Sequence, residues 1–243
     1  MKSTVTLLAL LLLASYSLRA ADEAAGGGSS AESAPRPEKK GPAASVDAKL
    51  KSFSIDCEGW QDGLPPEEVF VVDGIFKVVT KDGSKALMIE PAPIVDACAQ
   101  VGESAAGTSI VQAKIMASKR GRSYPRFGVS VHGMSGHRLF VNCAKKQVEL
   151  VRGEETLATA PCAWTTDTWM NLKLEAVLNP DETWSFKGKA WPGGSEEPKE
   201  PAIQHTEPKG KIKGNGKVTL WGTPFSELPL YIDDVKVQVA TKN

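Results

Sequence analysis

The sequence carries no net charge. Its 29 Lys and Arg balance 29 Asp and Glu, so it lacks the basic excess with which a general nucleic-acid binder meets phosphate. It lacks a second long apolar run, which excludes a bundle of membrane-spanning helices. Its four cysteines include no closely spaced pair, the nearest two being nineteen positions apart, and a zinc finger or ribbon needs such pairs. No G-x-S-x-G elbow is present, no phosphate-cradling glycine pattern follows a predicted strand, and no solenoid period recurs. There are three histidines, His132, His137 and His205, and none has a Ser or Cys in distinctive context. Carboxylates at alternate strand positions, as a sandwich glycosidase would need across one bond, are also missing. Glu67-Glu68 and Glu154-Glu155 are adjacent pairs in turns, and Glu175 stands alone among apolar neighbours.

What is there begins with an export pattern. Lys2 supplies a positive start, Val5 to Ala14 is apolar apart from Thr6, and small residues follow at Ser15, Ser17, Ala20 and Ala21. That order is the order of a secretory signal peptide. Ten such residues span about 15 Å as a helix, half of a bilayer core. We expect cleavage after Ala20 or Ala21, so residues 1–21 are signal. Losing Lys2 and Arg19 leaves 27 basic and 29 acidic side chains, a net of −2, and no membrane span. Residues 22–45, DEAAGGGSSAESAPRPEKKGPAAS, hold no aromatic, Leu, Ile or Val. They cannot bury enough apolar surface to offset their ordering entropy, so the sequence predicts a disordered linker. The remainder, 46–243, is expected to form one domain.

In that domain short apolar stretches alternate with period two and are punctuated by Gly, Pro and Asp, the pattern of half-buried strands. Val69–Val72 and Ile75–Val79 flank Asp73-Gly74, which reads as a hairpin turn. Lys81-Asp82-Gly83-Ser84 reads as the next turn, before Ala86–Glu90. Further strands are expected at Ser109–Ala117, around Phe127–Val131 and Leu139–Val141, at Val148–Val151, Thr156–Ala160, Trp169–Leu178, Thr183–Trp191, Val218–Trp221 and Leu230–Val239. Pro192–Lys217 packs four Pro and five Gly into 26 residues, a long connection within which Ala202–Thr206 reads as one short strand. About a dozen strands and no amphipathic helix predict an all-β sandwich. Its core by alternation is Phe70, Val72, Phe76, Val78, Leu87, Ile89, Ile110, Ile115, Phe127, Val129, Val131, Leu139, Val141, Leu172, Leu174, Phe186, Leu220, Ile232, Val235 and Val237.

Four cysteines allow three pairings. Cys143 and Cys162 bracket a meander, so their bridge needs little chain travel, and Cys57 would then join Cys98; free buried thiols are the alternative. Asp233-Asp234 lies inside the closing strand with one carboxylate per face, either accepting backbone amides or ligating calcium. No other cofactor or metal is indicated. The chain could bind through the cluster ASKRGRSYPRF, with Tyr124 and Arg126, and through a strand face carrying Lys187, Lys189 and Trp191. Rings stack on sugar CH faces and donors take hydroxyls, while basic residues favour an acidic polysaccharide.

The run of motifs Phe70-Val-Val-Asp-Gly-Ile-Phe, Arg126-Phe-Gly-Val-Ser-Val, Trp169-Met-Asn-Leu-Lys-Leu-Glu, Gly188-Lys-Ala-Trp-Pro and Leu230-Tyr-Ile-Asp-Asp-Val-Lys-Val resembles the concanavalin A-like lectin/glucanase superfamily, laminin-G-like jelly rolls included. The resemblance spans roughly 52–240. It implies two curved antiparallel sheets, a two-sheet jelly-roll β-sandwich with a concave binding face. The superfamily's Glu-x-Asp-x-Glu glycosidase pattern has no counterpart, nor has the laminin-G calcium pattern. The expectation is therefore an exported, periplasmic or extracellular, non-catalytic module binding a polysaccharide or glycan on the concave face. Arg126, His132, Lys187, Lys189, Trp191 and Tyr124 are the candidate ligand-binding residues. Two rivals stand beside it: a glycoside-processing enzyme with loop-borne carboxylates, and a protein-interaction or cell-envelope module with envelope proteins as partners.

Overall fold

A computed structural model describes residues 50–92, 96–212, 216–224 and 227–240. The signal and linker expected at 1–45 lie outside the described residues. Fifteen strands and no helix occur among those described: β1 Leu50–Ile55, β2 Val69–Asp73, β3 Phe76–Lys81, β4 Ser84–Ile89, β5 Ala97–Ala105, β6 Ser109–Ala117, β7 Arg126–Ser130, β8 His137–Asn142, β9 Gln147–Arg152, β10 Glu155–Pro161, β11 Thr168–Leu178, β12 Trp184–Pro192, β13 Ile203–Glu207, β14 Gly216–Thr223 and β15 Leu230–Ala240.

Two antiparallel sheets result. One runs β13-β12-β11-β6-β15-β4-β3, with β1 also on β15; the other runs β10-β9-β8-β7-β14-β5-β2. The architecture is an all-β, two-sheet jelly-roll sandwich. Local sequence explains the hairpins. Asp82 and Gly83 have φ of 52° and 88°, the pair of positive values that a two-residue turn joining β3 to β4 requires. β15 does more than pair with one neighbour. On one edge it meets β6; on the other it meets β4 through Leu230–Ile232 and β1 through Val235–Ala240. The handover falls at Asp233-Asp234, where the register with β6 slips and Asp234 has φ 50°. Asp233 Oδ1 there accepts the Asp234 amide at 2.7 Å.

The core lies between the sheets, and Phe76, Phe127, Phe186, Leu139, Leu150, Leu172 and Leu174 are among its wholly buried members. Alternation placed most of the expected core correctly. Phe70 and Val72 are exceptions, at 59% and 43% exposed, while Val69 is buried and Val71 packs against the core. A stretch apolar at every position has no legible phase, and β2 took the opposite one. Ile110 likewise yields its inward place to Val111.

Three further expectations are corrected. Asp73-Gly74 is not a hairpin: β2 belongs to the seven-stranded sheet and β3 to the other, so this turn carries the chain between layers. β1 and β5 were not expected from the sequence. The four cysteines are all buried and free. Cys57 packs in the core between the sheets, whereas Cys98 packs with Phe140 and Trp221 on the far side of the seven-stranded sheet, so backbone separates them. Cys143 follows β8 and Cys162 follows β10, with β9 between those strands. Two strand spacings are about 10 Å, and a disulfide tolerates at most about 7 Å between Cα atoms.

Candidate functional site on the outer face of the seven-stranded sheet

Alternation sends one set of side chains from this sheet into the core and the other outward. The outward set is Arg126, Gly128 and Ser130 on β7, Arg138, Phe140 and Asn142 on β8, Gln147 and Glu149 on β9, and Thr219, Trp221 and Thr223 on β14. Cross-strand register places Gly128 opposite both Phe140 and Trp221. A Cβ on Gly128 would meet the Leu139 carbonyl oxygen at 2.1 Å and the Phe140 ring at 2.8 Å. Glycine is what lets the ring lie down across the sheet.

Arginine covers each aromatic of this face. The Arg126 guanidinium lies 3.9 Å from the Phe140 ring centre and that of Arg138 lies 4.0 Å from the Trp221 ring. Stacked guanidinium ions desolvated in this way are worth about 1–2 kcal/mol each. The rings are fixed from below: Trp221 Nε1 donates to Ser130 Oγ at 2.9 Å, and Phe140 meets Trp221 edge-on at 6.3 Å. Cys98, Val151 and Met134 complete an apolar floor distinct from the main core.

Polar anchors orient the arginines. Arg126 Nη2 donates to Glu149 Oε2 at 3.1 Å. Glu149 Oε1 accepts from Gln147 Nε2 at 2.7 Å, from Asn142 Nδ2 at 3.1 Å and from Lys145 Nζ at 3.5 Å. Burial pushes the Glu149 carboxyl up, but these donors outweigh it and hold it below the ordinary carboxylate range. It is a fixed anion, not a proton donor. Arg138 Nη2 donates to the Met134 carbonyl at 2.8 Å and faces Asp96 at 3.8 Å. Asp96 also accepts from Thr223 Oγ1 at 3.0 Å. Three buried polar atoms on this face have no partner within the protein: Arg126 Nε, Arg138 Nε and Thr219 Oγ1.

The six residues singled out in the sequence do not share a surface. Arg126 alone lies on this face. Tyr124 meets Trp164 edge-on at 6.5 Å and packs against the core. Lys187, Lys189 and Trp191 lie on the outer side of the eight-stranded sheet, opposite Glu175, Lys173 and Asn171. There Lys189 is paired with Glu197 at 2.6 Å, and Trp191 is buried. His132 is buried at one end of the sandwich, edge-on to Trp184 at 4.8 Å. Sequence reasoning missed Arg138, Phe140, Glu149 and Trp221. The available signal was polar and aromatic residues at alternating positions 138-140-142 and 147-149.

Other hollows offer less chemistry. A cavity of about 260 Å³ beside β1 and β5 is lined by Phe53 and the paired Lys51 and Glu103. One of about 400 Å³ lies on the eight-stranded sheet near Gln112, Lys173 and Lys236. Neither contains one of the unpartnered buried polar atoms. Among the described residues no group of three or more His, Cys, Asp or Glu is arranged to hold a metal ion, and no helix is long and apolar enough to cross a membrane.

No protein family matches the sequence, and no curated protein matches it significantly. Solved structures do match in shape. The Emp47p carbohydrate recognition domain superposes with a TM-score of 0.53 at 6% identity, covering 78% of this chain and 96% of that one. The cellulose induced protein Cip1 gives 0.51 at 15% identity, covering 79% and 98%. The fold is concanavalin A-like. At these identities the likeness shows the concanavalin A-like fold alone. The outer face just described is one of its two broad surfaces.

Proposed function

We propose that the protein is an exported carbohydrate-binding module that holds an acidic polysaccharide on the outer face of the seven-stranded sheet. One observation carries the reading: Arg126 and Arg138 are stacked on Phe140 and Trp221, with their Nε donors buried and unpartnered. Both rings are covered, so it is the guanidinium groups that face a ligand and give its carboxylates something to accept from. The carbohydrate recognition domain with the same fold supports it. Binding is favoured over hydrolysis because an acid catalyst needs a carboxyl held protonated, and Glu149 is held the other way.

The test is retention on immobilised polygalacturonate and alginate, with dextran as the neutral control. Arg138→Ala and Arg126→Ala should each weaken binding to the acidic polymers by about 10- to 100-fold, the range for a hydrogen bond to a charged group. Retention should also fall with salt. Equal binding to dextran, or binding that ignores both substitutions, refutes the proposal. A second reading, docking of a protein partner at edge strand β2, is favoured by the exposure of Phe70 and Val72 on that strand and of Ile75 just after it. Phe70→Ser abolishing a pull-down partner while leaving polysaccharide retention intact would support it.

A further inference from the structure

All three histidines of the chain come together at one end of the sandwich, around the aromatic pair Trp184 and Phe186. His137 stacks on Phe186 at 3.9 Å, His205 lies 6.4 Å from the same ring, and His132 meets Trp184 edge-on at 4.8 Å. His132 and His137 flank the short turn between β7 and β8, whereas His205 comes from the distant edge strand β13. A cavity of about 240 Å³ opens beside them, lined by His132, Ser135, His137, Arg152, Lys211 and Ile212, with Gly136. That is below the 300–1,000 Å³ or so of a drug-sized pocket and suits one small molecule.

The proton positions follow from the partners. His132 Nε2 faces the Gly107 carbonyl at 3.0 Å. A carbonyl can only accept, so Nε2 carries the hydrogen and Nδ1 keeps a lone pair. That Nδ1 has no partner, although the side chain is only 7% exposed. His137 Nε2 faces Glu207 Oε1 at 3.2 Å. The Arg152 guanidinium donates to the same carboxylate. Burial pushes Glu207 up, but the His137 hydrogen bond and the Arg152 charge prevail and hold it ionised. Burial also drives His137 down to about 4, so it is a neutral imidazole donating through Nε2. Its Nδ1 is then a second acceptor. His132 sits at φ 61°, a conformation costly for a residue with a side chain and kept where the surroundings demand it.

The cavity therefore joins two neutral imidazole acceptors, the Ser135 hydroxyl and two cations. Arg152 is neutralised by Glu207 and Glu155, whereas Lys211 has no ion-pair partner among the described residues. We propose that this cavity is a second binding site, for a hydroxy acid of single-sugar size: hydroxyls donate to the imidazole lone pairs of His132 and His137, and the carboxylate rests on Lys211. The site is separate from the outer-face site and stands or falls independently of it.

The experiment is an NMR titration of the full chain with sodium glucuronate, with glucose as control, following the three histidine ring signals and the Trp221 Nε1–H. Glucuronate should shift His132 and His137 with a dissociation constant on the order of 1 mM, and leave Trp221 unmoved. Lys211→Met, at an exposed position, should weaken glucuronate at least about tenfold, the effect of one lost charge-assisted contact. His132→Asn, which tolerates a positive φ, should do the same; if it fails to fold, Lys211→Met decides. No histidine shift up to about 50 mM, equal affinity for glucose, or unchanged affinity in Lys211→Met overturns the proposal. Loss of polysaccharide retention in the outer-face variants with the histidine shifts intact would separate the two sites.

Discussion

Asp233→Asn should make the protein more stable at neutral pH. Asp233 is buried at the handover of β15, and that burial, followed by the nearby charges of Asp234 and Glu58, raises its carboxyl from 3.8 to about 6; the Asp234 amide and Lys114 only partly oppose this. In the unfolded chain the group ionises near 3.9. Between those values the folded protein binds more protons than the unfolded one, so this residue's contribution to stability falls as pH rises and is lowest above pH 6 or so. A displacement of that size corresponds to roughly 3 kcal/mol as an upper figure. Asn keeps the oxygen that accepts the Asp234 amide and never ionises. Urea unfolding followed by the fluorescence of the six Trp should show the variant more stable by about 1–3 kcal/mol at pH 7. At pH 3.5 or so the two proteins should agree to within about 0.5 kcal/mol. His137 works in the other direction. Its pKa is lowered from 6.5 to about 4, so it adds stability as pH rises through that window. The difference between variant and parent removes this term and isolates Asp233. A difference independent of pH, or a variant weaker at pH 7, refutes the reasoning.

Other expectations follow from single contacts. Gly128→Ala forces a methyl onto the Leu139 carbonyl and the Phe140 ring, so it should lower stability by at least about 2 kcal/mol in urea unfolding or prevent folding. Glu149→Gln removes the counter-charge of Arg126 while keeping an acceptor; thermal melts should show a loss of about 1–3 kcal/mol. The four thiols are buried, and burial raises Cys98 to about 11 and Cys57 to about 12. Ellman's reagent at pH 8 or so should label none in the native protein and all four in denaturant.

The layers of the fold were legible because half-buried strands write a period of two into the sequence. Ser109–Ala117 matches its strand at both ends, and the Asp82-Gly83 turn does what its residues demand. Legibility failed where that signal vanishes. Val69–Val72 is apolar throughout and showed no phase, and Asp73-Gly74 looked like a hairpin because a local motif cannot report which sheet its flanks join. The same limit hid the site. Arg126, Arg138, Phe140 and Glu149 come from the consecutive strands β7, β8 and β9, but Trp221 comes from β14, which the topology inserts beside β7 from far along the chain. Arg126 stood out in a basic cluster, but its ring partner and its counter-ion become neighbours only across the sheet. His132 and His137 flank one turn, but His205 joins them only through the approach of β13 to β8 and β9.

The latest strand in chain order has a consequence for how the molecule is made. β15 stitches β6, β4 and β1 into one layer, and some 180 positions separate β1 from it. Until it emerges, those three ribbons lack the partner that joins them, with greasy faces uncovered. Such long-distance pairing is slow and prone to clumping. Assembly should therefore wait for the whole described span and stall in chains cut before Leu230, and a nascent copy would need shelter by a chaperone until then.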